Sequence, residues 1–369
     1  MVFKRSLPDG DRCGLTRGRK SAAALALLTL LSVSFATVAD AGTDKIDLSS
    51  HSVRWNPLNR NDTEAGAFEW AGTIEISSEN EHFGGWSGLA VSADGSTLLA
   101  ISDEARWLSA QILYDEKGRL SGIGDGKIAP MLGLDGKPIP NKNMGDAEGL
   151  AVDNIDPTRG HAYVSFERHH RIWRYDLGKG GFDARPTQIV TQRELGKLPT
   201  NEGIEALTVA APETADTPAS LIAFTENARD PRGNVRAFII DGKKVRRFSM
   251  RLHDPNRPTD LARLPNGDFL LLERRFSLLA GAGMQIRQIK QEDVKPGAIV
   301  DGKVLLDADQ RRVIDNMEGI AVRQDRKGDV WVYIISDDNF NPLQHTYLMM
   351  FRLKQEPDVT PPHILKQGE

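Results

Sequence analysis

With one cysteine in 369 residues, Cys13, the chain cannot hold itself together by internal disulfides. Small exported domains with too little core depend on such staples, but a chain of this length buries enough apolar surface without them. A basic excess is also missing: 47 Lys and Arg stand against 51 Asp and Glu, a formal net charge of −4. Nucleic-acid binders show a basic patch or stripe. Here the bases gather only locally, as at Lys243, Lys244, Arg246 and Arg247, which read as a solvated strand and turn. There is no H-x-x-x-H pair and no cysteine cluster, so a zinc site is not indicated. Neither a G-x-S-x-G elbow nor a phosphate-cradling P-loop occurs. No long segment of helical period competes with the short apolar runs described below.

A bilayer-length apolar run is absent as well. The run from Ala22 to Ala36 is too short to span comfortably. It follows a basic start (Lys4, Arg5, Arg12, Arg17, Arg19, Lys20) and precedes Ala39-Asp40-Ala41, the three parts of a Sec-type secretory signal with cleavage after about Ala41. No Arg-Arg pair marks a twin-arginine route, and no cysteine follows the run to carry a lipid. A periplasmic or secreted protein with no membrane span after signal cleavage is expected. Residues 42–66 read as a linker or loosely docked arm, 67–354 as the folded domain, and 355–369, with Pro357, Pro361 and Pro362, as a flexible tail.

What the chain has is a repeat. SGLAVS (87–92) precedes LLAISDE (98–104), and AEGLAVD (147–153) precedes AYVSFER (162–168). IEALTVA (204–210) precedes LIAFTEN (221–227), TDLARLP (259–265) precedes DFLLLERR (268–275), and MEGIAVR (317–323) precedes WVYIISDDN (331–339). Starts near 87, 148, 205, 259 and 318 give a period of roughly 54–61 residues, the mark of a propeller or array. Turn signals such as Asp94-Gly95, Asn266-Gly267 and Asp301-Gly302 separate short strands, so the fold class is all-β. Each unit has room for the four antiparallel strands of a propeller blade. The fifth stops after its third strand, and the unpaired strand FEWAGTIEI (68–76) would complete it, removing both open edges of the ring. Five blades are favoured; a sixth would have to lie within 116–146. A β-sandwich would not explain the period.

In a blade the first and second strands run antiparallel, so the start of one and the end of the other share a face. Glu148, Glu205 and Glu318 start first strands, with Ser87 and Thr259 (beside Asp260) in the other two units. Asp103, Glu167, Glu226, Glu273 and Asp337 end second strands. All ten positions are expected at one mouth of the channel. Acids of this kind also cap turns within their own blades, but a gathered set repels itself unless a cation offsets it. A hard ion such as Ca²⁺ takes carboxylate and carbonyl oxygens, and Glu148, Glu205, Glu318, Asp337, Asp338 and Asn339 would suit it. Arginine is the other offset. Arg168, Arg274 and Arg275 follow second-strand acids, Arg229 and Arg232 follow Glu226-Asn227, and Arg106 follows Asp103-Glu104. Guanidinium groups bind phosphate or carboxylate in forked geometry, though they equally pair with adjacent acids. His169, in the turn after a second strand, is a further candidate for acid–base work or for a surface turn.

NMGDAEGLAVD (143–153), VSFERHHRIWRYD (164–176), NEGIEAL (201–207), PTDLARLPNGDFLLLERRF (258–276) and the stretch from DNMEGIAVR to TYLMMFRL (315–353) resemble the bacterial phytase-like proteins, known by "esterase-like activity of phytase". The resemblance covers about 70–353. It implies an exported propeller with recurring acids, a phosphomonoester- or phosphodiester-cleaving activity, and kinship with calcium-dependent propeller phytases. By position, the family acids correspond to Glu148, Glu205, Glu318, Asp337 and Asp338. Ser87 departs from the pattern, which points to a lopsided site served by three blades. The expected activity is metal-assisted (Ca²⁺) hydrolysis of a phosphate ester, with Glu148, Glu205, Glu318 and Asp337 catalytic and Arg168, Arg274, Arg275, Arg229 and His169 holding an anionic small-molecule substrate, in a monomer. The alternatives are a non-catalytic ligand- or partner-binding propeller, and a calcium-dependent lactonase or carboxylic esterase.

Overall fold

The computed structural model describes residues 42–154, 156–277 and 281–354. The signal and the tail read from sequence lie outside these residues. Five antiparallel sheets make a five-bladed β-propeller. The first strands are Trp86–Val91, Ala147–Val152, Ile204–Ala211, Arg257–Arg263 and Asn316–Gln324, which define blades one to five. Each of these inner strands packs against the inner strand of the next blade, and the fifth packs back on the first, which closes the ring. The stretch where a sixth blade would have to lie instead supplies the outer strand of blade one, Leu120–Pro130, and the connection to blade two.

The strand Phe68–Ser77 pairs antiparallel with Thr346–Leu353, with Leu348 opposite Ile74 and Leu353 opposite Phe68. The N-terminal strand therefore completes the last blade, and the ring has no exposed seam. The segment 42–66 supplies two further outer strands and a two-residue strand, Glu64–Ala65, that pairs with the start of Phe68–Ser77. Asp44–Ile46 pairs with the edge of blade one and Ser49–Val53 with the edge of blade five, so it bridges the blades on either side of the closure.

Five apolar layers lie between neighbouring blades. Trp86, Leu348 and Tyr333 fill the layer between blades one and five; Trp107, Phe166 and Tyr175 fill that between one and two. Both faces of most strands are thus buried, which accounts for the near-continuous apolar runs in the sequence.

The first two strands of every blade share one irregularity. Their register slips between Trp86 and Gly88, Ala147 and Leu150, Ile204 and Ala206, Pro258 and Asp260, and Met317 and Gly319. The extra residue is Ser87, Glu205, Thr259 or Glu318, and in blade two it falls at Glu148-Gly149. A bulge leaves its extra residue unpaired and re-aims its side chain. The repeated acid position is thus the bulge position.

One step further on stand Gly88, Gly149, Ala206, Asp260 and Gly319, where the inner strands press closest to the axis. A Cβ on Gly149 would lie 2.3 Å from the carbonyl oxygen of Glu205. Four small residues leave room for one larger side chain, that of Asp260, which is fully buried. Its carboxylate accepts from the amides of Leu261 (2.8 Å) and Ile320 (2.8 Å), and the amides of Leu207 and Leu89 also hydrogen-bond to it. Inner strands of four blades are tied to one carboxylate.

Candidate active site

The mouth of the channel on the bulge side is a cavity of about 740 Å³. Of the ten positions expected there, eight line it: Ser87, Asp103, Glu148, Glu167, Glu205, Glu226, Glu318 and Asp337. Thr259 does not, its hydroxyl donating to the Met317 carbonyl at 3.2 Å. Glu273 is a correction to the sequence reading. It turns away from the mouth into a fully buried fork with Arg287, whose Nε and Nη2 donate to its two oxygens at 2.6 and 2.7 Å. Arg287 comes from the third strand of the same blade, and its remaining donors reach the carbonyls of Arg251 and Asp301.

Asp315, just ahead of the fifth inner strand, lines the mouth and escaped the sequence reading, as did two further groups, Asp146 and Lys142. Both belong to the connection before blade two, outside the repeat. A one-turn helix, Lys142–Gly145, capped by Asn141, delivers them. The signal was present in NMGDAEGL, where Asp146 precedes Glu148 by two. Lys142 pairs with Asp103 and lies 3.7 Å from Asp146; Arg168 pairs with Asp146 at 2.5 Å. One oxygen each from Asp146, Glu148 and Glu167 lie within 4.8 Å of one another, a spacing suited to a single cation.

Of the arginines, Arg274 reaches the heart of the mouth, 3.0 Å from Glu318 and 3.2 Å from Glu226. Arg275 lines the rim but pairs with Asp307 at 2.6 Å. Arg229 stands outside the lining and donates to Asn227. His169 also lies outside it. Its neighbour His170 is buried, with one ring nitrogen 2.7 Å from the Pro199 carbonyl. Asp338 faces away: it accepts from the amides of Gly85 and Phe340 and from the Thr346 hydroxyl. Asn339 lines the mouth, and its amide donates to Asp337 at 2.7 Å.

Charge balance governs the site. Nine carboxylates and four cations line the cavity. Among the described residues, no side-chain cation pairs with Glu148, Glu167, Glu205 or Asp337. Burial, reinforced by neighbouring acids, holds the Glu148 and Glu205 carboxyls well above the usual carboxylate range. Burial pushes Glu167 and Asp337 up to about 8, and Glu318 up to about 7, where Arg274 pulls back. Arg274 in turn is held above its ordinary value, first by Glu318. One oxygen of the buried Asp103 has no hydrogen-bond partner. The donors are all hard oxygens, the kind that Ca²⁺ or Mg²⁺ takes, with no imidazole or thiolate among the acid cluster. The residues fit a divalent cation of that class.

No curated protein matches this chain. Among solved structures, a structural-genomics protein of unknown function from Bacteroides thetaiotaomicron is similar at 12% identity and a TM-score of 0.42, covering 84% of this chain and 76% of its own. A protein of unknown function from Dyadobacter fermentans is similar at 11% identity and a TM-score of 0.39, covering 84% and 95%. AofleA from Arthrobotrys oligospora is similar at 10% and 0.39, covering 85% and 87%. Residues 81–340, which carry the acids, the bulges and most of the ring, match the family described as Phytase-like, esterase-like activity of phytase, and the chain belongs to that family.

Proposed function

We propose that the acidic mouth hydrolyses a phosphate ester with the help of a bound divalent cation, Ca²⁺ by its donor set. The observation that carries this reading is the cluster of Asp146, Glu148 and Glu167, in which Asp146 is paired with Arg168 while Glu148 and Glu167 have no side-chain cation, with Arg274 in the same mouth. Those three acids would hold the cation, with Glu205 close by in the same mouth. Such an ion, when bound, polarises an ester oxygen and lowers the pKa of water. Arg274 sits where its guanidinium stabilises charge that develops on the transferred group. Glu318 and Asp337, poised at about 7 and 8, exchange a proton near neutral pH, which suits general acid–base work. The signal read at residues 1–41 would put this chemistry outside the cytoplasm. Among the described residues, no helix is long and apolar enough to cross a membrane.

A panel of phosphomonoesters, phosphodiesters and phytate, assayed with Ca²⁺ and with chelator, tests the reading. We expect turnover that chelation abolishes and that Glu148→Gln lowers by a factor of about 10² or more, the scale set by one electrostatic contact in a transition state. Absence of turnover on every ester would overturn it. A specific observation favours one second reading, a ligand-binding propeller without catalysis: Arg168 and Arg274 are already engaged by protein carboxylates. That reading predicts Ca²⁺-dependent anion binding with no product formed.

A further inference from the structure

The floor of the mouth is charged, but one side of its rim is apolar. Phe276, at the end of the second strand of blade four, is 67% exposed, and Leu343, in the loop after the second strand of blade five, is 84% exposed. Both line the mouth, together with Ile314 in the connection between these blades. Phe276 continues the run that begins at Arg274, so one strand end presents the anion-binding group and an apolar ring in succession. An exposed phenyl and isobutyl group at the lip of a charged cavity leave unburied apolar area that a ligand would cover.

Charge narrows the ligand further. Nine carboxylates face four cations, and each cation already serves a protein acid. With its carboxyls ionised, the mouth keeps an excess of negative charge even with one divalent ion bound. A ligand with many phosphates would meet repulsion throughout such a cavity, whereas a single phosphate needs only Arg274 and one cation.

We infer that the mouth is built for an amphiphilic ester, one phosphate joined to an apolar alcohol, with the phosphate at Arg274 and the apolar group on Phe276, Ile314 and Leu343. This rests on the reading that the mouth binds phosphate. It sets the chain apart from an enzyme for polyphosphorylated sugar alcohols.

The test uses binding, so that it stands whether or not the protein turns over. Affinities of methyl-, butyl- and octylphosphonate and of inositol hexakisphosphate are measured by calorimetry with Ca²⁺ present. Octylphosphonate is expected to bind at least about tenfold tighter than methylphosphonate, given the transfer free energy of each buried methylene. The Phe276→Ser/Leu343→Ser double variant is expected to bring that ratio close to one, while Arg274→Lys weakens all three phosphonates and keeps the ratio. A flat chain-length series, no binding of any phosphonate, or tighter binding of the hexakisphosphate would overturn the inference. So would a double variant that keeps the octyl preference and instead changes the sedimentation of the protein, which would make the rim a contact between copies of the chain. Tight octylphosphonate binding with no ester turned over would leave this inference standing and remove the hydrolase.

Discussion

The carboxyls of the mouth set how the protein answers pH. An unfolded chain releases the proton of a glutamate near 4.5, whereas the folded mouth keeps it on Glu318 to about 7 and on Glu167 to about 8. Asp337 behaves alike, from 3.8 to about 8. Between these limits the folded state binds more protons than the unfolded one, so stability falls as pH rises. Without metal, the melting temperature should therefore drop from pH 5 to pH 8 and go on falling until the last of these carboxyls has lost its proton. Ca²⁺ should restore it most at pH 8, where the carboxylates are ionised and bind only the native state. Glu205→Gln removes a buried carboxyl that folding forces to hold its proton, and should raise the metal-free melting temperature at pH 8 by a few degrees, the effect of roughly 1 kcal/mol in a domain of this size. Scanning calorimetry in chelator and in Ca²⁺, at both pH values, checks all three. A metal-free protein that gains stability from pH 5 to pH 8 would contradict the account.

At the level of the strand, the bulge explains both what the sequence made legible and what it hid. The acids at 148, 205 and 318 stand out because the repeat aligns them, and antiparallel pairing sends them to one face. Why they leave the sheet and face the cavity is a matter of register, and one extra residue per blade has no signature in composition. Glu273 shows the opposite limit. By position it belongs with Asp103 and Asp337, but Arg287, fourteen residues on, captures it. That partnership depends on which third-strand side chain faces inward, and the repeat does not carry this information. Asp146 and Lys142 were hidden because they lie in a connection, where no period exists to align them. Glu273→Ala strips the buried Arg287 of its forked partner, leaving it only the half-exposed Asp301 carboxylate at 3.3 Å, and should cost about 3–5 kcal/mol in urea unfolding. Replacing the pair together, Glu273→Leu with Arg287→Met, should cost much less, since apolar residues of similar volume substitute well for a buried ion pair. Equal losses in the single and double variants would show that the fork is not what the site requires.

Closure is the property of the whole molecule. The period announced five units, and the orphan strand before the first unit announced how the last would be completed, because an open edge in a ring is a liability. The two outermost strands of the 42–53 segment were not legible. They are short, polar and exposed, with the pattern of an arm, and only the edges they meet give them strand form. Truncations should separate the two roles. Removing 42–53 should leave a folded propeller with a modestly lower melting temperature. Removing 42–77 takes away the strand paired with Thr346–Leu353 and buried in the layers beside it, and should yield no soluble, cooperatively melting protein. Circular dichroism melts of the purified truncations are the measurement.

The carboxylate of Asp260 has a consequence for traffic. The acidic mouth and the funnel at the other end of the axis, bounded by Leu89, Leu150, Leu261 and Ile320, share no wall residue, and Asp260 lies among the strands that separate them. The two ends of the ring are lined by different residues. On the proposed function, phosphate released in the mouth would leave by way of Arg274, the group proposed to hold the ester. Inorganic phosphate should accordingly act as a competitive inhibitor, raising KM in proportion to its concentration while kcat stays fixed, and initial-rate measurements across a phosphate series would reveal it.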